Sequence, residues 1–196
     1  MSIRIAEAVE AVPAIPENIR KLQEMLTEGG ASFGQVATLI QRDLALTASL
    51  LKMVNGPQYM LPRRISNIQA ACTLLGTKGL RALLSSYGAQ KAIEDRYGRM
   101  DELWHHAYLC ACYARHLAGF LGHPEHAEDA HVGGLLHDLG KLVLLEAHPD
   151  LTRGINEYAA AQGIGGNPLE RLALGVGHTR IGALMAKRWN FPDSIM

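Results

Sequence analysis

Apolar residues recur at helical spacing along most of this chain, and residues that begin or end helices separate the apolar segments. Ile19, Leu22 and Leu26 lie on one face of a segment that starts after Pro16 and is expected to end at Gly29. The alternating pattern of half-buried strands does not recur. The sequence therefore predicts an all-α fold, a multi-helix bundle.

Capping residues predict where other helices begin. Ser32 followed by Gln35, and Ser66 followed by Gln69, have the spacing of a capping box. Gly76 is expected to end the helix that starts after Ser66, because glycine commonly follows the last helical residue. Further start and stop residues predict helices over residues 43–55, 78–90, 100–121 and 124–137, one that begins after Asn167, and a last one that carries His178.

The composition is that of a folded chain with a substantial core. Of the 196 residues, 48% are hydrophobic and 19% are charged, which predicts one domain or two closely packed lobes. The polar stretch 94–99 is the expected seam. It would separate an N-terminal helical lobe at about 13–93 from a second lobe at about 100–196.

Charge and cysteine content exclude several classes of protein. The 19 basic and 19 acidic residues cancel, so no overall electrostatic attraction draws the chain to nucleic acid or to a membrane. Cys72, Cys110 and Cys112 lack Cys-x-x-Cys spacing, so we expect neither a disulfide nor a structural zinc site and assign them no chemistry. No apolar leader or membrane-spanning run is found, which predicts a cytoplasmic protein.

The dipeptide His137-Asp138 lies in the otherwise apolar run 133–141. An imidazole nitrogen and a carboxylate oxygen can bind one divalent cation, and unpartnered polar groups in an apolar interior are costly. The alternative is a helix boundary, in which Gly140 ends one helix, Asp138 caps the next and His137 forms a hydrogen bond in the core. The dipeptide alone leaves both interpretations open.

Two more histidines, His106 and His178, also lie in apolar helical contexts. In the helix at 100–121, His106 shares a face with Leu103 and Cys110, and this face is expected to point into the core. Metal ligands in helical bundles project inward from several helices, so a site formed with His137 would require helix packing. Solvated or capping roles are expected for the remaining histidines apart from His105: His116, His123, His126, His131 and His148.

Several ordered segments resemble the HDOD domain, a signalling offshoot of the HD-domain metal-dependent phosphohydrolases. In the N-terminal lobe the resemblance rests on residues 14–17, 40–47, 54–59, 65–71 and 74–76. In the second lobe it rests on residues 103–106, 134–141, 178–183 and 189–192. The resemblance implies a single HDOD domain over 1–196, all-α, with an HD-domain-like C-terminal lobe.

The resemblance also implies a site. Carried over position by position, His106, His137, Asp138 and His178 are the metal ligands, and Lys141 matches a lysine that lies near substrate phosphate in catalytic relatives. Imidazole and carboxylate ligands suit Fe, Mn, Zn or Ni. A further interpretation is that the four residues only hydrogen-bond one another in a dry core.

Two departures from the catalytic pattern bear on function. No helix follows residues 191–193 to carry the downstream aspartate of catalytic HD enzymes, and Gly177 stands where many relatives have an acidic residue. We therefore expect a signal-transduction module that acts through a protein partner without catalysis, with a homodimer as a further open arrangement. Metal-dependent hydrolysis of phosphoesters or nucleotide phosphodiesters is the alternative. Neither specific nucleic acid nor a membrane is an expected partner.

Overall fold

A computed structural model describes residues 2–27, 31–56 and 59–195. This part of the chain is helical and contains no strand, which confirms the all-α prediction. Short 3₁₀ turns lie at Pro124–His126 and Asp193–Ile195. The α-helices are α1 (Ile3–Ala11), α2 (Glu17–Thr27), α3 (Phe33–Ile40), α4 (Leu44–Val54), α5 (Ile68–Tyr97), α6 (Asp101–Phe120), α7 (Ala127–Leu136), α8 (Gly140–Ala147), α9 (Pro149–Gln162), α10 (Gly166–Leu174) and α11 (His178–Arg188).

Local capping signals position several helices as predicted. Ser32 and Gln35 form a reciprocal capping box at the start of α3. Asp43 caps α4, where its side chain accepts a hydrogen bond from the Leu46 backbone N–H at 3.0 Å. The predicted stop at Gly29 lies outside the described residues.

Three local predictions were wrong by a few residues. Asn67, not Ser66, caps α5, because its Oδ1 accepts from the Ala70 N–H at 2.9 Å. Gly76, with a φ of 62°, breaks the helical backbone as predicted, but the helix that follows it continues to Tyr97, past its predicted end at 90 and through part of the predicted 94–99 seam. Helix α10 begins before Asn167, with Gly165 as its cap.

The described chain separates into two compact units. The N-terminal unit comprises residues 15–91, and the C-terminal unit comprises residues 1–14 together with 92–196. The division therefore falls within α5, between Lys91 and Ala92. A single domain over the whole chain stays a prediction. None of the helices in the described part of the chain has the length and apolarity needed to cross a bilayer.

Packing of α6 contradicts the face expected to be buried. Its buried residues are Trp104, Ala107 and Ala111. A Cβ on Gly134 of α7 would lie 2.8 Å from the Ala111 Cα, so the glycine permits the backbones of the two helices to approach closely. The backbones of α6 and α7 therefore approach closely at two small residues, Ala111 and Gly134.

The large apolar residues of α6 and its C-cap face solvent instead. We call this surface the α6 apolar face; its members are Leu109, Tyr113, Leu117, Phe120 and Leu121. Tyr113 is 67% exposed and Phe120 is 81% exposed. His106 follows the same outward direction, since its side chain is 56% exposed. The helical period was predicted correctly, but the face assigned to the core was wrong.

Candidate metal centre

The His137-Asp138 dipeptide lies in a turn between two helices. His137 is the C-cap residue of α7, and Gly140 begins α8. The proposal that Gly140 ends a helix is therefore wrong. A Cβ at Gly140 would lie 2.0 Å from the His178 carbonyl oxygen, so the absence of a side chain lets the start of α11 come against the turn.

The structure brings together all four residues of the expected ligand set. The Oδ2 atom of Asp138 lies 3.4 Å from His137 Nε2 and 3.7 Å from His106 Nε2. Its Oδ1 atom lies 3.7 Å from His178 Nε2. Asp138 is buried, and it is the side chain on which imidazoles from α6, the turn and α11 converge.

In His137 and His178, Nδ1 has a hydrogen-bond partner of its own, which leaves Nε2 as the ring nitrogen that faces Asp138. His137 Nδ1 lies 2.8 Å from the Gly134 carbonyl oxygen, which can only accept, so Nδ1 carries the proton. In the unprotonated ring, Nε2 would present its lone pair toward Asp138. This arrangement, with Nδ1 held by a carbonyl or carboxylate, is the usual one for metal-binding histidines.

Glu170 orients His178 in the same way. Its carboxylate lies 2.7 Å from His178 Nδ1 and accepts a 2.6 Å hydrogen bond from the His178 backbone N–H. Glu170 is 0% exposed. Burial raises the pKa of this carboxyl, but the hydrogen bonds from His178 outweigh it and hold the pKa below its usual value.

Sequence reasoning missed Glu170. It lies in α10, eight residues before His178 and in a different helix, so no helical spacing relates the two. The available signal was weak: an acidic residue in a helix whose neighbours gave no sign of burial. Only the packing of α10 against α11 shows that this carboxylate supports the site.

Lys141 is the remaining member of the predicted site. Its Nζ lies 2.8 Å from Asp138 Oδ2, in an ion pair across one turn of helix. The ammonium therefore neutralises the central carboxylate from within the chain. Its predicted contact with phosphate stays a prediction.

Cys110 extends the cluster on the α6 side. Its Sγ lies 3.6 Å from His106 Nε2. The candidate ligand atoms of His106, Cys110 and His137 all lie within 4.8 Å of one another. We expected no chemistry at Cys110, although the four-residue separation from His106 places both on one helix face.

His131 was expected to be solvated or capping, and this is wrong. It is 5% exposed in α7, and burial lowers its pKa to about 4. One ring nitrogen forms a hydrogen bond with the Ala111 backbone, and Nδ1 has no partner among the described residues. The histidine is therefore a neutral core residue beside the packed α6 and α7 helices.

The residues present fit a divalent transition metal. When the rings are unprotonated, their Nε2 lone pairs and the oxygens of Asp138 are all acceptors, and a cation placed between them would satisfy every one. In tetrahedral sites with bonds of about 2.0–2.2 Å, neighbouring N and O ligands are roughly 3.3–3.5 Å apart. The 3.4 Å between His137 Nε2 and Asp138 Oδ2 matches this spacing.

Known proteins are similar to this chain in sequence and in fold. A family model for the HDOD domain matches residues 12–196. An uncharacterized protein of Treponema pallidum (strain Nichols) is 30% identical over 196 residues, which are 100% of this chain and 38% of that protein. The chain thus spans well under half the length of this curated relative.

Two crystal structures are similar over nearly the whole chain. A protein from Shewanella amazonensis SB2B, named as a proposed phosphohydrolase, is 26% identical with a TM-score of 0.76, and the match covers 99% of this chain and 69% of that one. An HDOD domain protein of unknown function from Geobacter sulfurreducens is 25% identical with a TM-score of 0.72, with 98% and 67% covered. The chain belongs to the HDOD domain family.

Proposed function

We propose that this chain is a regulatory HDOD module that binds a divalent transition metal and acts through contact with a protein partner, without hydrolysing phosphoesters. The metal ligands are His106, His137, Asp138 and His178. Fe, Mn, Zn and Ni are the candidate ions, since all accept imidazole ligands.

The observation that carries the proposal is that both carboxylates of the site already have partners within the chain. Asp138 is already ion-paired with Lys141 at 2.8 Å. Glu170 is buried and directs its carboxylate to the backbone and ring of His178. Hydrolysis requires an activated water, an open coordination position and charge arranged around phosphate. Both carboxylates of the site are already engaged by other groups and neither is free to activate a water, which favours holding a cation over that chemistry.

A bound metal would supply positive charge where the imidazole and carboxylate acceptors face one another. The chain's own residues determine what this does to the fold. His106 lies on α6, whereas His137 and Asp138 lie in the turn between α7 and α8 and His178 begins α11. Ligation by all four would link these elements, so metal binding would stiffen α6 against its neighbours.

The α6 apolar face supports the proposed protein contact. Aromatic and leucine side chains with these exposures offer roughly 500–600 Å² per chain. A stable interface buries about 800 Å² per partner, and permanent dimers bury more. The size of the face therefore suits a transient signalling partner with an apolar surface better than a permanent second copy.

The alternative, a metal-dependent phosphohydrolase, is supported by one specific similarity. The Shewanella amazonensis protein is named as a proposed phosphohydrolase and is 26% identical over 99% of this chain. Under this alternative, Lys141 would leave Asp138 to contact phosphate.

Metal content and turnover, measured together, test the proposal. The wild type, a His137→Ala/Asp138→Ala variant and a His105→Ala control are purified without chelator or nickel resin, then assayed with a chromogenic phosphodiester. We expect near-stoichiometric metal in the wild type and control, loss in the double variant, and no turnover in any of them. Metal absent from all three proteins, even after dialysis against Mn, Fe and Zn, would refute metal binding. Turnover abolished by the double substitution would establish the phosphohydrolase instead.

The partner surface requires a separate test. A photo-crosslinking residue placed at Phe120 captures a candidate partner, which is then purified. The same residue placed at the exposed Tyr158 of α9 is the matched control. Calorimetry should show at least tenfold weaker binding to a Leu117→Glu/Phe120→Glu variant and unchanged binding to Tyr158→Glu. Equal affinities would contradict the assignment. A stable homodimer through the face, seen by sedimentation, would assign it to a second copy.

A further inference from the structure

We infer that Cys110 is an additional ligand of the metal centre, so that the ion is held by a thiolate as well as by imidazoles. The inference rests on the proposed metal site and specifies its chemistry. It concerns a residue outside the set of histidines and aspartate that the family resemblance supplied.

The position of Cys110 follows from the helix that carries it. Residues four apart on an α-helix lie on the same face, one turn apart. His106 and Cys110 have this separation on α6, and the His106 ring lies 5.4 Å from the His137 ring across to α7. Cys110 is partly exposed and is a free thiol, so an ion can reach it.

The distances are close to those of a metal-binding pair. Neighbouring ligands of one ion, bonded at about 2.0 Å through nitrogen and 2.3 Å through sulfur, lie roughly 3.0–3.5 Å apart at bond angles of about 90–110°, a range that includes five ligands around the ion. His106 Nε2 and Cys110 Sγ are 3.6 Å apart. The corresponding atoms of His106, Cys110 and His137 lie within 4.8 Å of one another, so one ion can be reached by all three with small side-chain adjustments.

A thiolate ligand changes which ions the site accepts. Binding breaks the S–H bond, the sulfur keeps the electron pair that it donates to the metal, and the proton is released to solvent. Soft sulfur favours Zn, Fe, Co or Ni over Mg, Ca or Mn. The geometry therefore points to a site for thiophilic ions, and Mn becomes the least favoured of the four candidate metals.

The chain provides a matched control for this test. Cys112 lies two residues after Cys110 on α6, about 200° around the helix axis, so it points away from the cluster. Both cysteines are partly exposed, and neither forms a disulfide. Substituting each in turn by serine separates a ligand from a nearby thiol.

Cobalt(II) is the probe, because thiolate ligation to it produces a charge-transfer absorption in the near ultraviolet. Wild type, Cys110→Ser and Cys112→Ser are titrated with cobalt, and bound metal per chain is measured by elemental analysis. We expect the absorption in the wild type and Cys112→Ser and its loss in Cys110→Ser. In the wild type, bound cobalt should also slow alkylation of Cys110 at least tenfold and leave Cys112 unchanged. This measurement decides the matter even if Cys110→Ser does not fold.

The outcomes separate this inference from the proposed function. Stoichiometric cobalt without the charge-transfer absorption, or absorption that persists in a folded Cys110→Ser variant, would refute the cysteine ligand and leave the metal site standing. Equal protection of both cysteines would refute it too. No cobalt bound to any of the proteins would refute the inference and count against the metal site itself.

Discussion

The two units bury different kinds of polar side chain. In the described part of the N-terminal unit, the buried polar residues are the uncharged Ser85 and Ser86. The C-terminal unit buries Asp138, Glu170 and His178, and His178 lies against both carboxylates. Buried ionisable groups are costly, so their convergence on one point makes the C-terminal unit the place to look for a functional site.

Polar groups of the N-terminal unit serve the backbone instead. Asn55 donates to the carbonyl oxygens of Leu51 and Ile65, and its own Oδ1 accepts from the Ile65 N–H at 2.7 Å. Asp43 caps α4 and accepts a hydrogen bond from the Tyr87 hydroxyl at 3.3 Å. Both side chains therefore stabilise the local fold of the N-terminal unit.

Removing Glu170 should produce the largest effect. Glu170→Ala would leave His178 without its buried partner, and breaking a buried pair of this kind costs about 3–5 kcal/mol of unfolding free energy. Glu170→Gln retains an acceptor and should cost less. Chemical denaturation measures both variants in metal-free buffer. A loss under about 1 kcal/mol for Glu170→Ala would show that the buried pair in the C-terminal unit is not a strong contact.

Acid should destabilise the C-terminal unit through His131. Burial lowers its folded-state pKa to about 4, below the usual 6.5, so the unfolded chain binds the proton first as pH falls. The stabilisation is complete above about pH 6.5 and declines toward pH 4, by up to about 3 kcal/mol. His131→Gln keeps a donor in the position of Nε2 and does not titrate. Its unfolding free energy should depend less on pH over this range; identical pH dependence would contradict the assignment.

The smallest of these effects is expected in the N-terminal unit. Asn55→Ala removes the hydrogen bonds that join the end of α4 to Ile65 and should cost about 1–3 kcal/mol. Because Asn55 takes no part in the metal centre, the cost should be the same with and without added metal. A cost that changes with metal would break the distinction between the two units.

Local sequence signals predicted many helix boundaries because a cap involves residues only three or four apart. Ser32 and Asp43 were identified in this way. Where two adjacent residues both suit a cap, the sequence does not show which one is used. Ser66 and Asn67 are such a pair, and Asn67 caps α5 in the structure. The buried face of α6 was not predicted because apolar residues lie on two faces of this helix. Close packing against α7 at Ala111 buries the face that carries Trp104, Ala107 and Ala111.

For the site, the family pattern identified His106, His137, Asp138 and His178, and the structure brings them together. The pattern did not include Glu170 or Cys110. The role of Glu170 depends on the packing of α10 against α11. Cys110 becomes a candidate ligand only because its neighbour His106 lies near Asp138. No helical spacing relates Glu170 to His178, and the spacing of His106 and Cys110 shows that they share a face of α6 but not that this face lies beside Asp138.

The sequence by itself determined the helical class, several helix ends and, through the family pattern, the candidate metal ligands, because these depend on residue chemistry and on hydrogen bonds within a turn. Only the tertiary structure decided which face of α6 is buried, that Lys141 neutralises Asp138, and that Glu170 orients His178. Those features depend on distances between side chains on different helices or turns. Such distances are set by how closely the backbones pack, and small residues such as Gly134 and Gly140 control that approach.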